Sequence, residues 1–205
     1  MTSMAIKAAD VKKLRDATGA GMMDAKKALT EADGDFDKAV DLLRVAGQAK
    51  AAKRSDREAA NGLVVGAGNA LVQIGSETDF VAKNADFVAT ADKIAKAVDV
   101  AKADSKDAAA QVQLDDGKTV AQTLEDLAGT IGEKIELADA AYFEGNAHIY
   151  LHRRSQDLPP QVGVMVEYTG EDTEAVHGVC LQIAAMHPRW VSRDEVPAAL
   201  IVHER

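Results

Sequence analysis

The stretch Ala70-Leu71-Val72-Gln73-Ile74, followed by Thr78-Asp79-Phe80-Val81-Ala82-Lys83-Asn84, decides the fold of this chain. Its first half reads as an alternating apolar strand. Its second half opens a helical pattern that continues through Ala85-Asp86-Phe87-Val88 to Ala97. Thr or Asp at such an entry caps the helix by accepting backbone N–H groups two or three residues on, so Thr78 or Asp79 is the expected cap. Phe80 then stands in the first turn of a strand-to-helix junction, at the rim of an α/β layer. An aromatic ring beside a carboxylate can wedge into a neighbouring protein there. Spacing alone also allows a plainer arrangement, with Phe80 in the core and Asp79 as the N-cap.

Upstream, Gly62-Leu63-Val64-Val65 and Ala70–Ile74 flank Gly66-Ala67-Gly68-Asn69, a hairpin signal. Downstream, the alanine- and aspartate-rich region from Lys102 to Gly117 reads as a loop. Val120, Leu124 and Leu127 then give a helical stripe towards Gly132. Strand signals return at Ile135-Glu136-Leu137 and Ala141-Tyr142-Phe143. A second pair, 148–152 and 161–168, brackets the loop 153–160, and Val176, Val179, Cys180 and Ile183 mark a helix that stops before Pro188. Strand hairpin followed by helix thus occurs twice, which predicts an α+β core of two similar subdomains with antiparallel strands and packed helices.

The first 50 or so residues carry no strand signal. Val11 and Leu14 give one helical stripe ending at Thr18-Gly19. Met22, Met23, Ala28 and Leu29 give a second, ending near Gly34. Asp35 caps a third, with Phe36, Ala39, Val40 and Leu43 on one face and Gly47 as its expected stop. A charged stretch, 48–58, follows and reads as a solvated, partly helical linker. The predicted divisions are a three-helix domain with linker at 1–54, a first core subdomain at 55–140 and a second at 141–205.

Composition narrows the function. With 205 residues, 47% of them hydrophobic, the chain can bury a core of more than one domain. A net charge of −9 and the lack of a basic block with interleaved aromatics argue against direct nucleic-acid binding. No apolar run reaches the ~18 residues of a membrane helix, and the N-terminus lacks the apolar core of a signal peptide. The single Cys180 forms no intramolecular disulfide and fits a reducing, cytoplasmic setting.

Catalytic and cofactor signatures are missing. There is no phosphate-binding Gly-x-x-x-x-Gly-Lys-Ser/Thr. Gly19-Ala20-Gly21 lacks a third glycine and follows a helix instead of a strand, so it is no dinucleotide fingerprint. His148 and His152 share a strand face without a third ligand, and no His/Cys set has zinc spacing, so no metal and no cofactor is expected. Cys180, on an apolar helical face, reads as an inert buried thiol. No nucleophile–base pairing stands out, which argues against an enzyme.

Three stretches carry a resemblance: Val11–Leu29 with Gly34-Asp35-Phe36-Asp37-Lys38-Ala39; Thr78–Asn84; and Ile131-Gly132-Glu133-Lys134 with His152 and Gly163-Val164-Met165-Val166. Together they resemble the bacterial elongation factor Ts family in one collinear order over essentially the whole chain. Asp157-Leu158-Pro159-Pro160 within the loop 153–160 is similar to actinobacterial members. The N-terminal unit also resembles ubiquitin-associated domains. The family resemblance implies a guanine-nucleotide exchange factor that binds the GTPase elongation factor Tu and promotes GDP release by disturbing its Mg²⁺ and phosphate site. It implies that Asp79 and Phe80, flanked by Thr78 and Val81, form the intrusive contact. It implies that Met22 and Met23 dock on the GTPase domain, although their spacing equally suits helix–helix packing. Ile131, Gly132 and His152 match further contact positions. Family members continue into a helical hairpin and a C-terminal segment, whereas this sequence ends at Ile201-Val202-His203-Glu204-Arg205, so truncation of the second subdomain is expected. The alternative function is a non-catalytic binding module built on the ubiquitin-associated-like unit.

Overall fold

Three helices, α1 (Ala8–Thr18), α2 (Met22–Glu31) and α3 (Phe36–Ala52), open the computed structural model, which describes residues 6–52, 54 and 56–201. Val11, Leu14, Ala25, Ala28, Leu29, Ala32 and Ala39 form their shared core, closed by Ile6, Phe36, Val40 and Leu43. Lys7 supplies no side-chain cap to α1. The helix ends at Gly19, whose φ of 65° is left-handed and whose N–H returns to the Arg15 carbonyl. Asp35 caps α3 by accepting from the Lys38 N–H at 3.1 Å.

Gly47 does not stop α3. The helix runs on to Ala52, because Gly47 faces Gly129 of α7 (Val120–Ile131). A Cβ on Gly47 would stand 4.0 Å from the Gly129 Cα, and one on Gly129 would stand 3.8 Å from the Gly47 Cα. The pair lets two helices meet backbone to backbone. The segment after α3 is likewise more than a solvated linker: the Arg54 guanidinium donates to the Ala128 carbonyl at 3.4 Å, and Arg57 pairs with Glu77 at 3.1 Å. Lys53 and Ser55, part of the expected linker, lie outside the described residues.

The core is α+β. Strands β1 (Asn61–Ala67), β2 (Ala70–Ser76) and β3 (Ile135–Tyr142) form an antiparallel sheet in the order β1-β2-β3. Leu63 pairs with Ile74 and Val65 with Val72 across the hairpin, so these side chains share one face. That face meets Phe87, Ile94 and Val98 of α5 (Ala85–Ala101) and Val120 and Leu124 of α7 in the larger core. The two strand signals at 135–137 and 141–143 belong to one strand, β3, which crosses the 140/141 division while pairing with β2 throughout. The region read as a loop after Lys102 contains a short helix, α6 (Lys106–Gln111), capped by Ser105. It was missed because its alanines show no apolar period.

A second antiparallel hairpin, β4 (Asn146–His152) and β5 (Val162–Tyr168), stacks on the other face of the first sheet. Two glycines thin this contact: a Cβ on Gly66 would lie 2.9 Å from Ile149, and one on Gly163 would lie 2.5 Å from Val64. The loop 153–160 folds over the outer edge of β1, where the Pro160 carbonyl accepts the Val64 N–H at 2.8 Å. This satisfies an edge group that would otherwise be open to another strand. Helix α8 (Thr173–Met186) covers the far side, packed on β4 and β5 with Cys180 fully buried. A single 3₁₀ turn (Arg193–Glu195) and α9 (Ala198–Ile201) follow, and residues 202–205 of the chain end lie outside the described residues.

Candidate functional site

The helix expected to run from Thr78 to Ala97 is two helices. A single turn, α4 (Asp79–Ala82), ends at Lys83, and Asn84 starts α5 afresh by accepting the N–H groups of Asp86 and Phe87 at 2.9 and 3.1 Å. Thr78, not Asp79, caps α4: its hydroxyl oxygen accepts the Val81 N–H at 3.4 Å. The turn sends its four side chains in different directions. Val81 and Ala82 are buried, and Val81 joins the larger core. Phe80 points away from that core and is 79% exposed. Val81, expected from the resemblance to flank the contact, thus anchors the turn from within the core.

Charge frames the exposed ring. The Lys83 ammonium lies 3.5 Å from the Asp79 carboxylate, one helical turn back, and 5.7 Å from the centre of the Phe80 ring. A cation over the ring face is attracted by its quadrupole and holds the aromatic in place without covering it.

Beneath the ring, the backbone is pinned from several sides. Glu133 accepts the Thr78 N–H at 3.0 Å with one carboxylate oxygen and the Thr78 hydroxyl at 2.7 Å with the other. Glu77 reaches back to accept the Lys134 N–H at 2.5 Å. The fully buried Ser76 hydroxyl donates to the Thr78 carbonyl at 2.9 Å, and the Asn61 amide donates to the Glu77 carbonyl at 2.8 Å. The Lys134 N–H holds the Glu77 carboxyl below the usual carboxylate range, with Arg57 adding to the effect and desolvation opposing it.

Of the other expected contacts, Ile131 and Gly132 lie beside this turn. Ile131 ends α7, partly buried against the core, and Gly132 is its left-handed C-cap at φ 90°. The next residue, Glu133, brings this segment to Thr78. Met22 and Met23 stand on the first turn of α2, on the three-helix unit, 45% and 77% exposed, so the helix–helix packing open to them from spacing does not bury them. His152 ends β4 on the second hairpin, where its Nδ1 is 3.0 Å from the Tyr150 hydroxyl. Its strand neighbour His148 meets His177 of α8 at 3.2 Å, and among the described residues no three His, Cys, Asp or Glu side chains are grouped to hold a metal ion. Glu77 and Glu133 were not singled out from sequence. The available signal was a glutamate directly before the Thr-Asp-Phe stretch and another directly after the glycine that ends α7.

Comparison with known proteins fits this geometry. A sequence profile of the family described as Elongation factor TS matches residues 77–205, from Glu77 through the exposed turn to the chain end. The chain belongs to the elongation factor Ts family. Elongation factor Ts of Cutibacterium acnes is 76% identical over 202 residues, spanning 98% of this chain and 75% of the relative. That of a Nocardioides species is 56% identical over 201 residues, 98% of this chain and 74% of the relative. That of Mycolicibacterium vanbaalenii is 54% identical over 198 residues, 97% and 73%. These elongation factor Ts relatives extend the match to the three-helix unit that precedes the profile. No helix among the described residues is long and apolar enough to cross a membrane.

Proposed function

We propose that this elongation factor Ts family member is a guanine-nucleotide exchange factor for elongation factor Tu, working in the cytoplasm and without catalytic chemistry of its own. The observation that carries the reading is Phe80: a large apolar ring, 79% exposed, on a turn whose next two residues are buried. Exposing such a ring has no benefit for folding, and rigid aromatics of this kind are the usual anchors of protein interfaces.

An exchange factor needs no general acid or base. It must bind the nucleotide-free GTPase more tightly than the nucleotide-bound one, since only a difference in affinity shifts that equilibrium. Nucleotide is held in large part by Mg²⁺ and the phosphates it bridges. Insertion of the Phe80 ring, with Asp79 beside it, into an apolar pocket of the GTPase domain displaces the elements that hold the ion and so loosens GDP. Met22 and Met23 supply a second, adaptable contact. The test is release of labelled GDP from elongation factor Tu with and without this chain. Catalytic acceleration at substoichiometric chain supports the reading. Binding without acceleration leaves only the binding-module alternative.

A further inference from the structure

The turn that carries Phe80 is held by two carboxylates exchanged between two segments. Glu133, from the segment after α7, takes both the N–H and the hydroxyl of Thr78. Glu77, from the segment before α4, takes the N–H of Lys134. The exchange is reciprocal, so neither segment can shift without breaking the other's bond. It also reaches the residues after the three-helix unit: Arg57 pairs with Glu77, and the Lys134 ammonium donates to the Arg57 carbonyl at 2.9 Å. By contrast, α4 is a single turn whose side-chain cap bond is 3.4 Å long and whose closing backbone bonds from Ala82 and Lys83 are 3.4 and 3.3 Å, and a helix this short does not hold itself together.

We propose that Glu133 is a positioning residue: its two-oxygen grip on Thr78 keeps the Asp79–Phe80 turn in its partner-ready conformation before the partner arrives. The proposal rests on the exchange-factor reading for its functional consequence. Its local part stands on hydrogen bonds alone. Ordering a loop on binding costs affinity, and a chain already ordered avoids that cost. If the competent turn is populated only fractionally, the apparent affinity falls by that fraction while the bound state is unchanged. Loss of Glu133 therefore weakens encounter without weakening what Phe80 does once seated. Thr78 passes the constraint on, because the hydroxyl that donates to Glu133 is also the acceptor that starts α4.

The experiment compares the full chain with Glu133→Ala, Glu133→Gln and Phe80→Ala. Amide hydrogen exchange is followed at residues 78–83, together with affinity for elongation factor Tu and GDP release. Hydrogen bonds to a charged acceptor are strong enough that Glu133→Ala is expected to speed exchange at Thr78 by roughly tenfold and to raise the apparent KM for the factor similarly, with the maximal release rate kept. Glu133→Gln retains one acceptor oxygen and falls between. Phe80→Ala leaves amide protection as it was and lowers the maximal rate as well as the affinity, whereas the Glu133 variants keep the maximal rate, which separates positioning from insertion. Unchanged protection at Thr78 in both Glu133 variants overturns the clamp, whatever the wild-type activity. Faster amide exchange with unchanged affinity and release overturns the claim that the partner uses the rigidity. If the wild-type chain binds without releasing GDP, the exchange reading fails and affinity alone decides the clamp's role. If it does not bind at all, the exchange reading and the partner-ready role both fall, and amide protection alone decides the local clamp.

Discussion

Phe80→Ala is the substitution on which the reading of this surface turns. A phenylalanine side chain presents ~200 Å² of largely apolar surface, and at about 25 cal/mol per Å² its complete burial is worth up to ~5 kcal/mol. In the free chain 79% of the residue is exposed. Folding therefore draws on about a fifth of that sum, ~1 kcal/mol, to which the exposed contact with Lys83 adds ~0.5 kcal/mol. The remainder is realised only in a complex, and after the costs of association a central aromatic anchor commonly retains ~2 kcal/mol or more, a loss of roughly thirtyfold in affinity. Phe80→Ala is thus expected to lower the melting midpoint by a few degrees at most while reducing GDP release from elongation factor Tu by more than tenfold. The adjacent Val81→Ala serves as the mirror image. Val81 is 7% exposed within the larger core, so its truncation costs about 1–3 kcal/mol of stability. Its effect on release follows only from that loss. Calorimetry and labelled-GDP release on both variants form the assay. A Phe80→Ala midpoint that falls as far as that of Val81→Ala, with activity falling in proportion, would refute the argument and return Phe80 to the core.

Three further outcomes follow from contacts elsewhere. Glu77 has its carboxyl lowered in the folded state, chiefly by the Lys134 N–H, so it contributes stability above the unfolded carboxylate pKa that is lost as pH falls through the lowered folded value. The difference in melting midpoint between wild type and Glu77→Gln should therefore be full at neutral pH and vanish in acid, and a constant difference across that range would show that the charge is not involved. At the α3–α7 crossing, Gly129→Ala is expected to be tolerated, since its Cβ would sit 3.8 Å from Gly47 in ordinary contact. Gly129→Leu forces the helices apart at a cost of about 1–3 kcal/mol, read as a lower midpoint and faster proteolysis between residues 47 and 60. Burial pushes the Cys180 thiol up from its ordinary value, so alkylation at neutral pH should be slow in the native chain and fast in denaturant.

Much of this architecture was legible because local chemistry and tertiary packing agree. The hairpin signal at Gly66–Asn69, the Asp35 cap of α3 and the Val120, Leu124 and Leu127 stripe of α7 each specify one outcome, and the structure adopts it. The misreadings at Gly47 and in the 48–58 linker share a physical cause: one residue type serves two purposes that only a distant partner distinguishes. A glycine late in a helix is a stop when followed by solvent and a crossing point when another glycine faces it, and Gly129 is far from Gly47 in sequence. Arg54 and Arg57 read as solvated charges until Ala128 and Glu77 are placed beside them.

The exposed ring depends on the same ambiguity. Phe80 and Phe87 are seven residues apart, a spacing that in one uninterrupted helix places both on one face. Phe87 is 1% exposed, so a continuous helix would carry Phe80 towards the core as well. The break at Lys83 and Asn84 prevents this. Thr78 caps one turn and Asn84 caps the next helix, and between them the chain changes direction. Two overlapping caps in so short a stretch look redundant as sequence. In the structure they make it possible for one aromatic to fill the core and its counterpart to face outward, with Val81 and Ala82 buried between them as the anchor. The outward face of this site is thus set less by Phe80 itself than by the polar residues on either side of it.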